Sequence, residues 1–277
     1  MSYEATTSDL LYITNYSNVL VFTYPQGKLV GTLKGFYSAV GECVDGHGDV
    51  FITNFKPVTV YEYAHGGKKP IAEFPTKKAG TVGCAINPVN GDLAITGQTS
   101  YVEIFKGAKG KPIIMRDKGM QFGQFCAYDD KGDLFFDGLA DGDKKNRLSE
   151  LPSGGSSFIG LKTDFRIDSE ASIQWDGRHL TALVYAKGGK AEIVQVAVKG
   201  ARAMEIGVTP LAKPADIIAQ YFIDNDTVVV PNQYFTNDER GNVLLYHYPS
   251  GGDPFFTVKK HVSIARGAAI SSAADLR

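Results

Sequence analysis

The feature that most constrains this chain is a recurring strand–turn–strand unit. The segments ECVDGHGDVFITN at 42–54, CAINPVNGDLAITG at 84–97 and CAYDDKGDLFFDG at 126–138 each join two apolar stretches through an Asp- and Gly-bearing turn. Weaker copies follow: IQWDGRHLTALVY at 173–185, YFIDNDTVVVPN at 221–232 and AAISSAADLR at 268–277. Aligned on Asp49, Asp92, Asp133, His179, Thr227 and Asp275, successive copies lie 43, 41, 46, 48 and 48 residues apart. A unit of this length cannot bury its apolar faces alone and must stack on its neighbours.

The period suits four short antiparallel strands per unit, and the expected fold is an all-β, six-bladed β-propeller. The third strand of each unit is an alternating segment running into a Gly-rich turn, as in NVLVFTYPQGK, VTVYEYAHGGKKP and NVLLYHYPSGGDP, which reads as a hairpin to a fourth strand. The last copy stops at its turn, while SDLLYITN at 8–15 reads like the strand that should follow. The segment 267–271 is therefore expected to become the innermost strand of the blade formed by residues 10–35. An unsealed ring would leave two sheet edges with unpaired backbone groups. Residues 1–8 read as an N-terminal extension and 9–277 as a single propeller domain.

An apolar inner strand, an Asp/Asn-Gly-Asp turn, a strand ending in Thr-Asn and a strand ending in Tyr-Pro-x-Gly resemble the NHL-type six-bladed propellers and related bacterial repeat proteins of unassigned role. The resemblance runs from about 9 to 275, and Arg178-His179 and Asp226-Thr227 depart from it by lacking Gly-Asp. It implies architecture only, because propellers serve lactonases, lyases, oxidoreductases, receptors and adaptors alike.

Charge and composition narrow the partners. A formal net charge of −1 argues against nucleic acid or an anionic membrane as a bulk electrostatic partner. No apolar run reaches the length of a membrane-spanning helix, and MSYEATTSD has neither the basic start nor the apolar centre of a secretion signal. A secreted or periplasmic origin would require a signal removed from the chain as given. Three cysteines form no even-numbered disulfide framework and lean toward a reducing compartment. Cys84 and Cys126 share a position counted back from their turns and Cys43 lies one residue further on, so Cys43 is expected to point to the opposite face and all three to pack as buried thiols.

In a propeller the inter-blade connections gather at one mouth of the central channel. Here they are rich in Lys and Arg, including Lys77, Lys78, Arg116, Arg166 and Arg266, against fewer acids such as Asp117 and Asp164. That excess suits an acidic ligand. These five cations, with Tyr234 and Phe235 of the long loop at 232–242, form the expected binding set of a non-catalytic scaffold. Its partner would be a protein, a glycan or an anionic small molecule, and the chain is expected to act as a monomer. The enzymatic alternative, a lactonase or lyase, would use Gln124, Glu170, His261 and Arg266; a third reading is a structural or surface repeat protein. No cofactor and no metal are expected. The positions where a lactonase-type calcium site would need oxygen ligands hold Val40, Val82, Gln124, Ala171, Ala219 and Arg266. The Asp-rich turns, Asp45 and Asp49 among them, read as turn chemistry, and Trp175 reads as inner-strand packing.

Overall fold

The computed structural model describes residues 1–140, 142, 146–167, 172–186, 188–213, 218–233 and 241–273. The chain lays down antiparallel meanders in sequence order. The first comprises β1 (Leu10–Thr14), β2 (Tyr16–Thr23) and β3 (Leu29–Ala39), and the second β4 (Glu42–Val44), β5 (Val50–Asn54), β6 (Thr59–Tyr63) and β7 (Ala72–Pro75). Next come β8 (Gly83–Ile86), β9 (Leu93–Thr96), β10 (Tyr101–Phe105) and β11 (Ile113–Arg116), then β12 (Met120–Tyr128), β13 (Leu134–Ala140), β14 (Asn146–Leu151) and β15 (Ile159–Thr163). The fifth holds β16 (Ile173–Trp175), β17 (Leu180–Ala186), β18 (Lys190–Lys199) and β19 (Arg202–Pro210), and the sixth β20 (Phe222–Asp224), β21 (Thr227–Asn232), β22 (Asn242–His247) and β23 (Phe256–Val258). The final strand, β24 (Gly267–Ser271), returns to the first meander and pairs antiparallel with β1, Leu10 opposite Ser271 and Thr14 opposite Gly267. The fourth and fifth meanders are joined into one eight-stranded sheet where β15 pairs parallel with β19, Lys162 opposite Arg202.

Alternation along the strands decides how the sheets pack. On β1, Leu10 and Tyr12 join a core with Val50, Ile52 and Tyr63 of the second sheet, while Leu11 and Ile13 join one with Val229, Val243 and Leu245 of the sixth. Cores of the same kind fill the gaps between the second and third sheets and between the third and fourth. A strand thus offers one face to each neighbouring sheet, as period-2 side chains require.

The Thr that ends second strands, followed by Asn at 15 and 54, is the latch of this arrangement. The Thr53 hydroxyl accepts the Gly41 amide at 2.8 Å, Thr14 accepts the Gly267 amide at 2.6 Å, and Thr96 donates to the Gln124 carbonyl at 2.8 Å. Each ties the start of an innermost strand to its own or the next sheet. At the corresponding position the fourth sheet carries Asp137, whose Oδ1 accepts the Phe125 amide at 2.7 Å. Desolvation raises this fully buried carboxyl well above the usual range, against the lowering effect of the Phe125 amide.

Residues 1–8 do not hang free. A short 3₁₀ turn at Tyr3–Thr6 seats Ala5 in the core between the first two sheets, and Lys28 pairs with Glu4 at 2.6 Å.

The cysteine expectation requires correction. Cys43 and Cys84 form a disulfide, with Cα atoms 5.8 Å apart, and only Cys126 is a free, buried thiol. Cys43 does point to the opposite face of its sheet from Cys84. On neighbouring sheets, however, opposite faces are the ones that meet, so the register offset brings the two sulfurs together. Cys126 shares the face of Cys84 and packs toward the third sheet beside Ala85, which offers no thiol. Burial pushes the Cys126 thiol up to about 12.

Candidate functional site

Two sites emerge, one in the central channel and one on the face where the sheet-to-sheet connections gather. The channel holds a cavity of about 250 Å³ walled by first strands. Val44, Ile86 and Trp175 stand half-buried at the strand ends beside the Asp-bearing turns, whereas Glu42 is buried at the start of β4, Gln220 and Tyr221 just before β20, and Phe125 within β12. The cavity therefore opens on the Asp-turn side. At its floor the Gln220 side-chain amide spans to the backbone of Glu42, accepting its N–H at 2.9 Å and donating to its carbonyl at 2.7 Å. A Cβ at Gly267 would lie 2.6 Å from Gln220 Oε1 and 2.1 Å from the Val40 carbonyl, so only glycine allows this crossing. The amide is spent on the strand and not on the Glu42 carboxyl, which belongs to a residue 1% exposed. The Ala269 amide approaches and offsets in part the desolvation that raises this carboxyl well above the usual range. The Trp175 indole N–H is buried without a partner.

On the opposite face, cations are held over aromatic rings. The Arg266 guanidinium lies 5.4 Å from the Tyr16 ring centre and donates to Ser38 at 2.8 Å. Tyr16 in turn packs 5.9 Å from Tyr37, and Lys56 sits 5.3 Å over Tyr37. On the third sheet Lys78 and Arg116 share Tyr101, at 5.8 and 5.5 Å. Local structure fixes these rows. Asn15 accepts the Ser263 and Ile264 amides that lead into Arg266, Asn54 accepts the Tyr37 amide at 2.7 Å, and the buried Glu103 carboxylate gathers the amides of Lys77, Lys78 and Ala79. Tyr16 and Ser38 both have left-handed backbones, φ 64° and 55°, an uncommon conformation for such residues.

Asp117, in the loop after β11, takes Arg147 through two bonds at 2.8 and 3.0 Å and Ser149 at 2.5 Å. Burial opposes its ionisation, but the bonds from Arg147, Ser149 and the Gly119 amide outweigh that and hold the carboxyl below the usual range. Replacing Arg147 with Ala strands a carboxylate that is 2% exposed and should cost about 3 kcal/mol at neutral pH. A folded-state value below the unfolded one means that the pair's stabilisation is present above the unfolded value, about pH 4, and is lost as pH falls through the lowered folded value. Urea melts of the wild type and Arg147→Ala should therefore converge on acidification; equal stability at pH 7 would refute the pin.

The Asp-turn side also gathers Asp45, Asp49 and Glu62, with carboxylate oxygens within 4.8 Å of one another. Desolvation, then the charges of Asp49 and Asp45, raise Glu62 to about 7. Turn chemistry accounts for Asp45, whose Oδ1 accepts the His47 and Asp49 amides at 2.9 Å. Glu62 comes from the adjacent strand β6, beyond the reach of a turn motif.

No protein-family model matches the chain, and no curated protein matches it by sequence. Among solved structures it is similar to a chain of a nidogen/laminin complex, with TM-score 0.75 and 12% identity over 96% of this chain and 99% of that one. The protein has a β-propeller-like fold. A protein of unknown function from Bacteroides caccae is similar with TM-score 0.66 and 10% identity, again over 96% and 99%, and U3-55K with 0.59 and 10% over 90% and 78%. At such identities the likeness concerns the fold alone.

Within this propeller-like frame the residues singled out from the sequence separate. Lys78, Arg116 and Arg266 take part in the cation–ring rows, with Lys77 exposed beside Lys78. Arg166 is exposed on the loop after β15. Gln124 is half-buried on β12, and His261 is exposed with φ 72°. Tyr234, Phe235 and Glu170 lie outside the described residues. Tyr16, Tyr37 and Tyr101 are absent from the expected set, which follows charge, and they meet their cations only through packing. Trp175 packs on an inner strand as expected, yet its unpaired N–H marks the cavity.

Proposed function

We propose that the protein is a non-catalytic binding module that holds an acidic protein segment on the face where the sheet-to-sheet connections gather. In this reading it is a six-bladed NHL-type propeller with four strands per blade, its ring sealed where β24 joins β1. It acts as a monomer in an oxidising compartment, where a disulfide persists. The observation that carries the reading is the row Arg266, Tyr16, Tyr37 and Lys56, with Lys78, Tyr101 and Arg116 on the third sheet. Cations held over rings offer charge and flat apolar contact together, each pair worth about 0.5–1 kcal/mol when exposed. Tyr and Arg are the residues that dominate protein interfaces. Tyr37 is 46% exposed and free to receive a partner.

A fluorescently labelled poly-glutamate peptide provides the test. It should bind more weakly at about 300 mM than at about 50 mM salt, because screening shortens with ionic strength. Lys78→Glu combined with Arg116→Glu should weaken binding roughly tenfold or more without lowering the melting temperature. Unchanged affinity in that variant, or preference for a sulfated oligosaccharide over the peptide, would sink the protein-segment reading.

A further inference from the structure

Strand β11 forms the outer edge of the third sheet. Its adjacent residues Ile113 and Ile114 are 48% and 44% exposed, and an apolar open edge is a template for pairing with another chain. The ladder to β10 fixes which backbone groups are open. The Asp117 amide bonds the Ser100 carbonyl, and the register sets Tyr101 opposite Arg116 and Val102 opposite Met115. Bonded and non-bonded pairs alternate in an antiparallel ladder, so Ile113 and Met115 turn their amides and carbonyls toward β10. Those of Ile114 and Arg116 point outward, and among the described residues no backbone group bonds them. The fourth sheet shows what this fold does with such an edge, because β15 there takes β19 as a further strand. Beside β11 lies instead a hollow of about 250 Å³ between the third and fourth sheets, with Ile113, Met115, Leu151 and Pro152 among its walls.

Charge selects the occupant. Residues 109–118 hold the exposed cations Lys109, Lys111, Arg116 and Lys118, and their one acid, Asp117, is taken up by Arg147. Lysines guard an edge against a second copy of this chain, which would bring the same charges to it. Toward an acidic strand the same guard is an attraction. The strand also ends at Arg116, whose guanidinium lies over Tyr101 in the basic row, so the edge is continuous with the basic face. We infer that β11 is a strand-addition site for an extended acidic segment of a partner protein. The segment pairs its backbone with Ile114 and Arg116 and sends alternate apolar side chains into the hollow beside Ile113 and Met115. This rests on the reading of the basic face as a site for an acidic segment and states how the segment is held. In such additions main-chain bonds supply affinity and pockets for alternate side chains supply choice.

The wild-type protein is titrated with a short labelled peptide of alternating glutamate and valine, and with a charge-matched peptide of alternating glutamate and serine. The valine peptide should bind about tenfold more tightly or better. At saturation, amide exchange followed by NMR should slow about tenfold or more at Ile114 and Arg116, with little change at Met115, which is already bonded to β10. Two further forms of the valine peptide, N-methylated on every glutamate or on every valine, each block one edge of the extended chain. One should lose about tenfold or more in affinity and the other should bind like the parent. Ile114→Pro removes an outward N–H, which an edge strand tolerates, and should weaken the valine peptide about tenfold with an unchanged melting temperature. If that variant fails to fold, exchange in the wild type decides alone. The inference is overturned if the valine peptide binds while Ile114 and Arg116 exchange as before, if both N-methylated forms bind like the parent, or if the serine peptide binds equally well. Poly-glutamate that binds in any of these cases leaves the basic-face reading standing; if neither it nor the valine peptide binds, both readings fall. Slowed exchange at the same amides on raising the protein concentration without peptide would assign the edge to a second copy and overturn the acidic occupant.

Discussion

A chain shortened to residue 266 should be insoluble, or should melt far below the intact protein. Every residue of Gly267–Ser271 is buried, and the strand supplies Ala268, Ala269 and Ile270 to the packing on both sides of the first sheet. Its removal exposes the whole edge of β1, a row of unpaired amides and carbonyls flanked by the buried side chains Leu11, Tyr12 and Ile13. It also removes Ser271, whose hydroxyl bonds the Gly48 carbonyl at 2.5 Å and meets His65 Nδ1 at 2.6 Å. Soluble yield and thermal melting of the shortened protein check this. A soluble product with an unchanged melt would show that β24 is dispensable and would remove the support for a sealed ring.

Cys43→Ser should lower stability by about 4 kcal/mol, the loop-closure contribution for a crosslink spanning 41 residues. For a chain of this size that corresponds to a drop in melting temperature of roughly 7 °C. Treating the wild type with reductant should produce the same shift. Mass spectrometry after alkylation should count one reactive thiol in the unfolded, non-reduced protein and three after reduction. Three thiols without reductant would refute the crosslink.

Local patterning carries the fold well. The hairpins β4–β5, β8–β9 and β12–β13 coincide with the three clearest sequence copies, because a period-2 apolar segment on each side of an Asp-Gly turn leaves the backbone few other arrangements. Thr-Asn at the strand ends is legible as a repeat, although its task of tying adjacent strands becomes visible only when the sheets are assembled. What the sequence hides is contact between sheets. The disulfide was misjudged because side-chain alternation was followed within one strand and not carried across the gap to the facing sheet. The cations at the basic face were readable from loop composition. The role of the tyrosines beneath them was not, because each meets its cation only through tertiary packing.

The parallel pairing of β15 with β19 has a mechanical consequence. Lys162 and Thr163 lie opposite Arg202 and Ala203, and the Lys162 amide bonds the Ala201 carbonyl at 2.9 Å, so two meanders share one continuous hydrogen-bonded plate along their outer edges. Splaying those two apart must break backbone bonds, and a shorter parallel bridge between Leu211 and Gly252 ties the fifth meander to the sixth in the same way. The circumference is therefore unevenly compliant. Amide exchange should be slowest along Lys162–Thr163 among the outer-edge strands.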